Sequence, residues 1–97
     1  MKKEVLICYD VENNKMRKKL HQALLDLGLR NIQMSVFWGH LIQAEINAVK
    51  ILFEDYLDEG IDRAFLTTCK LEKAHNGNCK FGYLPGEIED WPEYGCL

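Results

Sequence analysis

The apolar pattern of this 97-residue chain predicts an α+β fold of the ferredoxin-like, βαββαβ type: an antiparallel sheet with two helices on one face. Three observations point there. Strand-like and helical segments alternate in that order, each helical segment carries a single apolar stripe, and the first strand is apolar on both faces, as a central strand must be.

Residues 4–9, EVLICY, form that first strand. Asn13 or Asn14 then suits the N-cap of a helix in which Met16, Leu20, Ala23, Leu24 and Leu27 recur at helical spacing, and Gly28 supplies the stop. The helix runs for about four turns and leaves Lys15, Arg17, Lys18 and Lys19 on its sides and outer face. In RNIQMSVFWGHL, Ile32, Met34, Val36 and Trp38 alternate with Gln33, Ser35 and Phe37, an extended pattern long enough to allow a break near Met34 or Ser35. His40 is read as lying in a turn after Gly39. A second amphipathic helix is expected from Gln43 to Glu59, with Ile46, Val49, Leu52, Phe53, Tyr56 and Leu57 inward and Gly60 at its end. RAFLTTC is the last clear strand. Residues 71–97 read as a polar loop, a short strand (CKFGYL) and an acidic tail, within one domain spanning 1–97.

Two helices on one face leave the other face of the sheet to be covered. Phe37, Trp38, Phe65 and Tyr83 are candidates for that surface, and a twofold partner is the commonest cover, so a homodimer is expected. A chain of this length buries roughly 60–68% of its unfolded surface, enough for a core without a metal or disulfide staple. Apolar runs are too short to span a bilayer, and the MKKE start enters a brief strand, which predicts a cytoplasmic protein with no membrane partner. Cys8, Cys69, Cys79 and Cys96 form no C-x-x-C pair, and the gaps among Cys69, His75 and Cys79 fit no zinc pattern, so reduced thiols are expected.

Charge is unevenly placed. The net charge is −3, yet residues 13–50 hold six cations against two anions, while residues 51–97 hold four cations against ten anions. A net acidic chain therefore contains a basic segment. Asp10 directly follows the first strand, where a loop opens. Carboxylates so placed hold Mg²⁺ or Mn²⁺, hard cations that take oxygen ligands, or else cap the next turn or helix. The helix-one cations, with Arg30 just past the helix end, suit phosphate contacts along a nucleic-acid backbone, or simply form a solvated face. A metal-competent acid beside basic residues is what phosphodiester hydrolysis uses. Ser35 has no His or Asp at a diagnostic spacing, and the chain carries no P-loop or dinucleotide fingerprint.

The stretch VLICYDVENNKMRKKLHQALLDLGLRNIQMSVFWGHL resembles the N-terminal half of CRISPR-associated protein two, the smaller of the two universal CRISPR adaptation proteins. The parallels are the strand ending in Tyr9-Asp10, the Arg-containing first helix, the Gly-Leu-Arg turn and the Gln-x-Ser-Val-Phe strand, over about residues 4–57. The resemblance implies a ferredoxin-like homodimer with Mg²⁺ or Mn²⁺ held between two copies of Asp10, the catalytic acid of an endonuclease acting on RNA or double-stranded DNA. It also implies, as an alternative, a non-catalytic adaptor that binds DNA and bridges the CRISPR integrase during spacer acquisition. Arg17, Lys18, Lys19 and Arg30 become candidate nucleic-acid contacts, and Tyr9, Ser35 and Phe37 candidates for shaping the dimer cleft. Where the family usually bears an acid after the Phe, this chain has Trp38, so an auxiliary carboxylate is missing. Ribonuclease toxins share the fold and the acid, but the Gln-x-Ser-Val-Phe strand favours the adaptation protein.

Overall fold

The first apolar run folds as strand β1, Lys3–Asp10, in a computed structural model that describes residues 1–71. A short loop leads to helix α1, Asn14–Asp26. Asn13 is its cap, the side-chain oxygen accepting the Met16 backbone N–H at 3.0 Å and satisfying one of the helix's orphan donors. At the far end Gly28 takes φ +88°, a conformation open to a residue without Cβ. Its N–H reaches the Leu25 carbonyl at 2.9 Å and that of Leu29 reaches Leu24 at 3.3 Å, the two bonds of a Schellman stop.

Strands β2, Arg30–Gln33, and β3, Val36–Leu41, form a hairpin whose turn lies at Met34 and Ser35, where the long extended segment was expected to break. Ser35 sits at φ +60°. The buried Asn31 braces the turn from within, its amide donating to the carbonyls of Gln33 at 2.7 Å and Val36 at 3.0 Å. His40 does not lie in a turn: pairing of Glu4 with His40 and of Lys3 with Leu41 carries the strand past Gly39.

Helix α2, Gln43–Tyr56, starts with the Glu45 carboxylate accepting the Ile42 N–H at 2.9 Å. It ends three residues before the expected Glu59. Leu57 adopts extended backbone, and Asp58 nucleates a separate turn in which its carbonyl accepts the N–H groups of Ile61 (3.0 Å) and Asp62 (2.7 Å) and its carboxylate that of Gly60 (2.9 Å). Strand β4, Arg63–Thr68, follows.

The sheet order is β2-β3-β1-β4 with every pairing antiparallel, so the ferredoxin-like topology read from the sequence is the topology observed. Central β1 turns Val5, Ile7 and Tyr9 toward the helices, where they pack with Leu20, Leu24, Phe37, Leu41, Ile46 and Val49. Phe37, expected on the opposite face, is fully buried in this core. Adjacent strand residues point to opposite faces, so Phe37 and Trp38 cannot both cover the same one.

Trp38 does face away from the helices. It is only 2% exposed, lying in a second cluster with Ile32, Leu6, Val36, Cys69 and Leu71, and its indole N–H donates to the Glu4 carboxylate at 2.9 Å. Phe65, 53% exposed, is on this face too, beside Cys8. Cys8 and Cys69 are free thiols, both raised in pKa chiefly by burial. Tyr83, His75, Cys79, Cys96, the expected short strand and the acidic tail lie outside the described residues.

Gly39 has a steric role. A Cβ there would stand 2.7 Å from Cδ2 of Leu29, which is itself buried where the chain leaves α1. Gly39→Ala should therefore lower the unfolding free energy by about 1–3 kcal/mol, the usual scale of core overpacking, read as an earlier urea midpoint at unchanged slope.

Candidate functional site

The pleat of β1 places Asp10 in line with Glu4, Leu6 and Cys8, on the face away from the helices, and leaves it exposed at the strand's end. Its register partner on β4 is Arg63, also exposed, and the next pair on the same face is Cys8 with Phe65. Together these side chains line a shallow depression of about 180 Å³. Directly opposed residues of an antiparallel pair have Cβ atoms roughly 4.5–5.5 Å apart, so a carboxylate and a guanidinium share one small area of surface.

The loops that carry these two residues are tied together by Asp62. One of its carboxylate oxygens accepts the Glu12 N–H at 2.9 Å, just after Asp10, and the other accepts the Asp58 N–H at 2.9 Å. Those N–H groups, of Asp58 and then Glu12, hold the Asp62 carboxyl below its ordinary pKa. A second brace comes from Arg17, whose guanidinium donates to the Val11 carbonyl at 3.0 Å and to the Asn14 side chain. Val11 is buried, so the segment after Asp10 is anchored on both sides.

The remaining predicted residues divide between the two layers. Tyr9 belongs to the helix-side core, its ring stacked on Phe37 with centroids 6.1 Å apart, and His21 meets Phe37 edge-on at 5.2 Å. Burial pushes the Tyr9 hydroxyl up to about 12, with Ser35 and then Arg17 pulling the other way, although no partner completes a hydrogen bond to it. Ser35 forms the hairpin turn, and its carbonyl accepts the Tyr9 N–H at 3.1 Å. Lys15, Lys18 and Lys19 are exposed on α1, in the helix layer, whereas Arg30 pairs with Trp38 on the same sheet face as Asp10. The structure thus brings Asp10 and Arg63 together and separates both from the lysines.

Among the described residues no three His, Cys, Asp or Glu side chains gather to hold a metal ion. Asp10 is the exposed oxygen donor of this depression, one carboxylate per chain. One such carboxylate would suit Mg²⁺ or Mn²⁺, because these ions keep several waters and take one or two protein carboxylates.

A family model described as "CRISPR associated protein Cas2" matches residues 3–76. The chain is 41% identical over 95 residues to CRISPR-associated endoribonuclease Cas2 1 of Francisella tularensis subsp. novicida, covering 98% of this chain and 96% of the relative. The chain belongs to the Cas2 family. A second Cas2 relative, CRISPR-associated endoribonuclease Cas2 1 of Methanospirillum hungatei, is 30% identical over 86 residues, covering 75% of this chain and 90% of the relative. In fold, the chain is similar to Streptococcus pyogenes Cas2 at pH 6.5, with a TM-score of 0.67 at 22% identity over 80% of this chain and 99% of the other. It is equally similar to the hypothetical protein TT1823 from Thermus thermophilus, with a TM-score of 0.66 at 24% identity over 72% and 84% of the two chains.

Sequence reasoning placed Asp10 at the end of the first strand, where the structure has it, but passed over Arg63 and Asp62. The only local signal was the alternation of Arg63, Phe65 and Thr67 along RAFLTT; which residue they oppose is set by pairing across more than fifty positions. Because the two N–H groups favour the carboxylate form, Asp62 contributes stability above its ordinary pKa of 3.8, and that contribution is lost as pH falls through the lowered native value. Asp62→Asn should be less stable than the parent at pH 7. The gap should close on acidification below about pH 4, the ordinary carboxylate range, as followed by urea unfolding at a series of pH values.

Proposed function

We propose that this Cas2-family protein is a CRISPR-associated endonuclease that hydrolyses phosphodiester bonds of RNA, working in the cytoplasm as a homodimer whose two Asp10 carboxylates hold Mg²⁺ or Mn²⁺. The observation that carries this reading is the exposed carboxylate of Asp10 ending the central strand, on the sheet face without helices, beside a cation from β4. The endoribonuclease names of two relatives, matched over most of their lengths, support the choice of reaction and of RNA.

Hydrolysis adds water across a P–O bond, its oxygen joining phosphorus and a proton going to the leaving oxygen. A divalent ion held by Asp10 would supply Lewis acidity, lowering the pKa of water and offsetting negative charge on the phosphate. Asp10 would position that ion, and the Asp62 and Arg17 braces hold the loop after Asp10.

A second reading has its own observation. Lys15, Lys18 and Lys19 are exposed in the helix layer, apart from Asp10, where they suit sequence-independent contacts to duplex DNA. On that reading the protein is an adaptor in spacer acquisition, holding DNA and the CRISPR integrase without needing Asp10.

Cleavage of labelled single-stranded RNA and double-stranded DNA by the parent and Asp10→Asn, in Mg²⁺, Mn²⁺ or EDTA, decides between them. The nuclease reading expects metal-dependent cutting that falls by roughly a hundredfold or more in the variant, the scale for losing one electrostatic stabiliser of a transition state, while binding persists. Absence of cutting in both, with salt-sensitive DNA binding intact, leaves the adaptor.

A further inference from the structure

We propose that Arg63 is the phosphate-binding residue of the Asp10 site, placing the scissile phosphodiester of single-stranded RNA against the Asp10 carboxylate and its cation. The inference deepens the nuclease reading and rests on it. Three features carry it. Arg63 is the direct cross-strand neighbour of Asp10 in the β1·β4 ladder, so any event that brings Asp10 to a substrate brings Arg63 as well. The Asp62 carboxylate, adjacent in sequence, ties the start of β4 to the loop after Asp10, which holds the two backbone segments in place relative to each other. And Arg63 is exposed on the rim of the depression that Asp10 also lines, with the guanidinium's planar fork suited to two phosphate oxygens at once.

The competing explanation is a surface ion pair. Such pairs contribute little to stability. The two accounts diverge on substrate. A phosphate ligand contributes its own salt-sensitive contact to RNA, whereas an ion pair would act only through Asp10 and leave the salt slope in the Asp10→Asn background unchanged.

The test compares the full chain with Arg63→Ala and Arg63→Lys, each first checked for an unchanged thermal unfolding midpoint. RNA cleavage is measured in Mg²⁺ as kcat and KM separately, and binding of the same RNA across a salt series in the Asp10→Asn background. The expected results are a loss of roughly ten- to a hundredfold in kcat/KM for Arg63→Ala and partial recovery in Arg63→Lys, which keeps the charge but not the fork. The slope of log Kd against log salt should fall by about 0.7, the contribution of one phosphate contact on a single strand. Cleavage within twofold of the parent together with an unchanged salt slope in Arg63→Ala would overturn the proposal. If the parent itself fails to cut RNA, the nuclease reading falls, and the salt slope alone then decides whether Arg63 binds phosphate: an unchanged slope overturns it.

Discussion

Strand β1 is hydrogen-bonded along both edges, to β3 on one side and β4 on the other, and its pleat decides what every other part of the molecule can do. Alternation sends Val5, Ile7 and Tyr9 to the helices and Glu4, Leu6, Cys8 and Asp10 to the far face. A slip of one residue would exchange the two sets. It would place the carboxylates of Glu4 and Asp10 against Leu20, Leu24 and Val49, where burial of an unpaired charge costs several kcal/mol. The exposure of Asp10 is therefore enforced by the same packing that builds the core, and the adjacent Tyr9 is buried for the identical reason.

An exposed carboxylate at the end of a strand is useful only if the chain beyond it stays in place. Here the following loop is held by side chains that satisfy backbone groups: Asp62 takes the Glu12 N–H, Arg17 takes the Val11 carbonyl, and Asn13 caps α1. Each of these bonds settles an otherwise unsatisfied main-chain donor or acceptor, so the local fold and the geometry around Asp10 have a common origin. Arg17 illustrates the cost of reading charge alone. Its guanidinium belongs to this brace, and its positive charge is presented partly buried at the loop rather than on the outer face with Lys18 and Lys19.

What was legible in the sequence is what short-range physics writes there. The succession of strands and helices along the chain, the stripe of α1, the Gly28 stop, the break at Met34 and Ser35 and the place of Asp10 at a strand end all depend on spacing within a few residues. What escaped depends on pairing or competition. Phe37 and Trp38 are both large and apolar, and only the register with Ile7 and Leu6 shows that one lies beneath the helices and the other opposite. His40 follows a glycine, a common turn signal, yet Gly39 is there because Leu29 crosses over it and leaves no room for a Cβ. The end of α2 was misplaced because Asp58 offers its carbonyl and carboxylate to the next turn, a local alternative that outcompetes three more residues of helix.

The division of charge between two layers bears on how one small domain could serve two roles. Asp10, Arg63 and Arg30 belong to the sheet face away from the helices, while Lys15, Lys18 and Lys19 stand on α1 on the other side of the sheet. Phosphate contacts made by flexible exposed lysines are diffuse, strongly salt-dependent and indifferent to sequence, which suits gripping a duplex. Hydrolysis demands the reverse: a few groups held rigidly around one phosphate, as the ladder between β1 and β4 holds Asp10 beside Arg63. Because the core of Val5, Ile7, Leu20 and Leu24 lies between these surfaces, substitutions on one need not disturb the other. The two proposed roles thus fall on physically separable surfaces of the same ferredoxin-like domain, and an adaptor and a nuclease need not be competing descriptions of one surface.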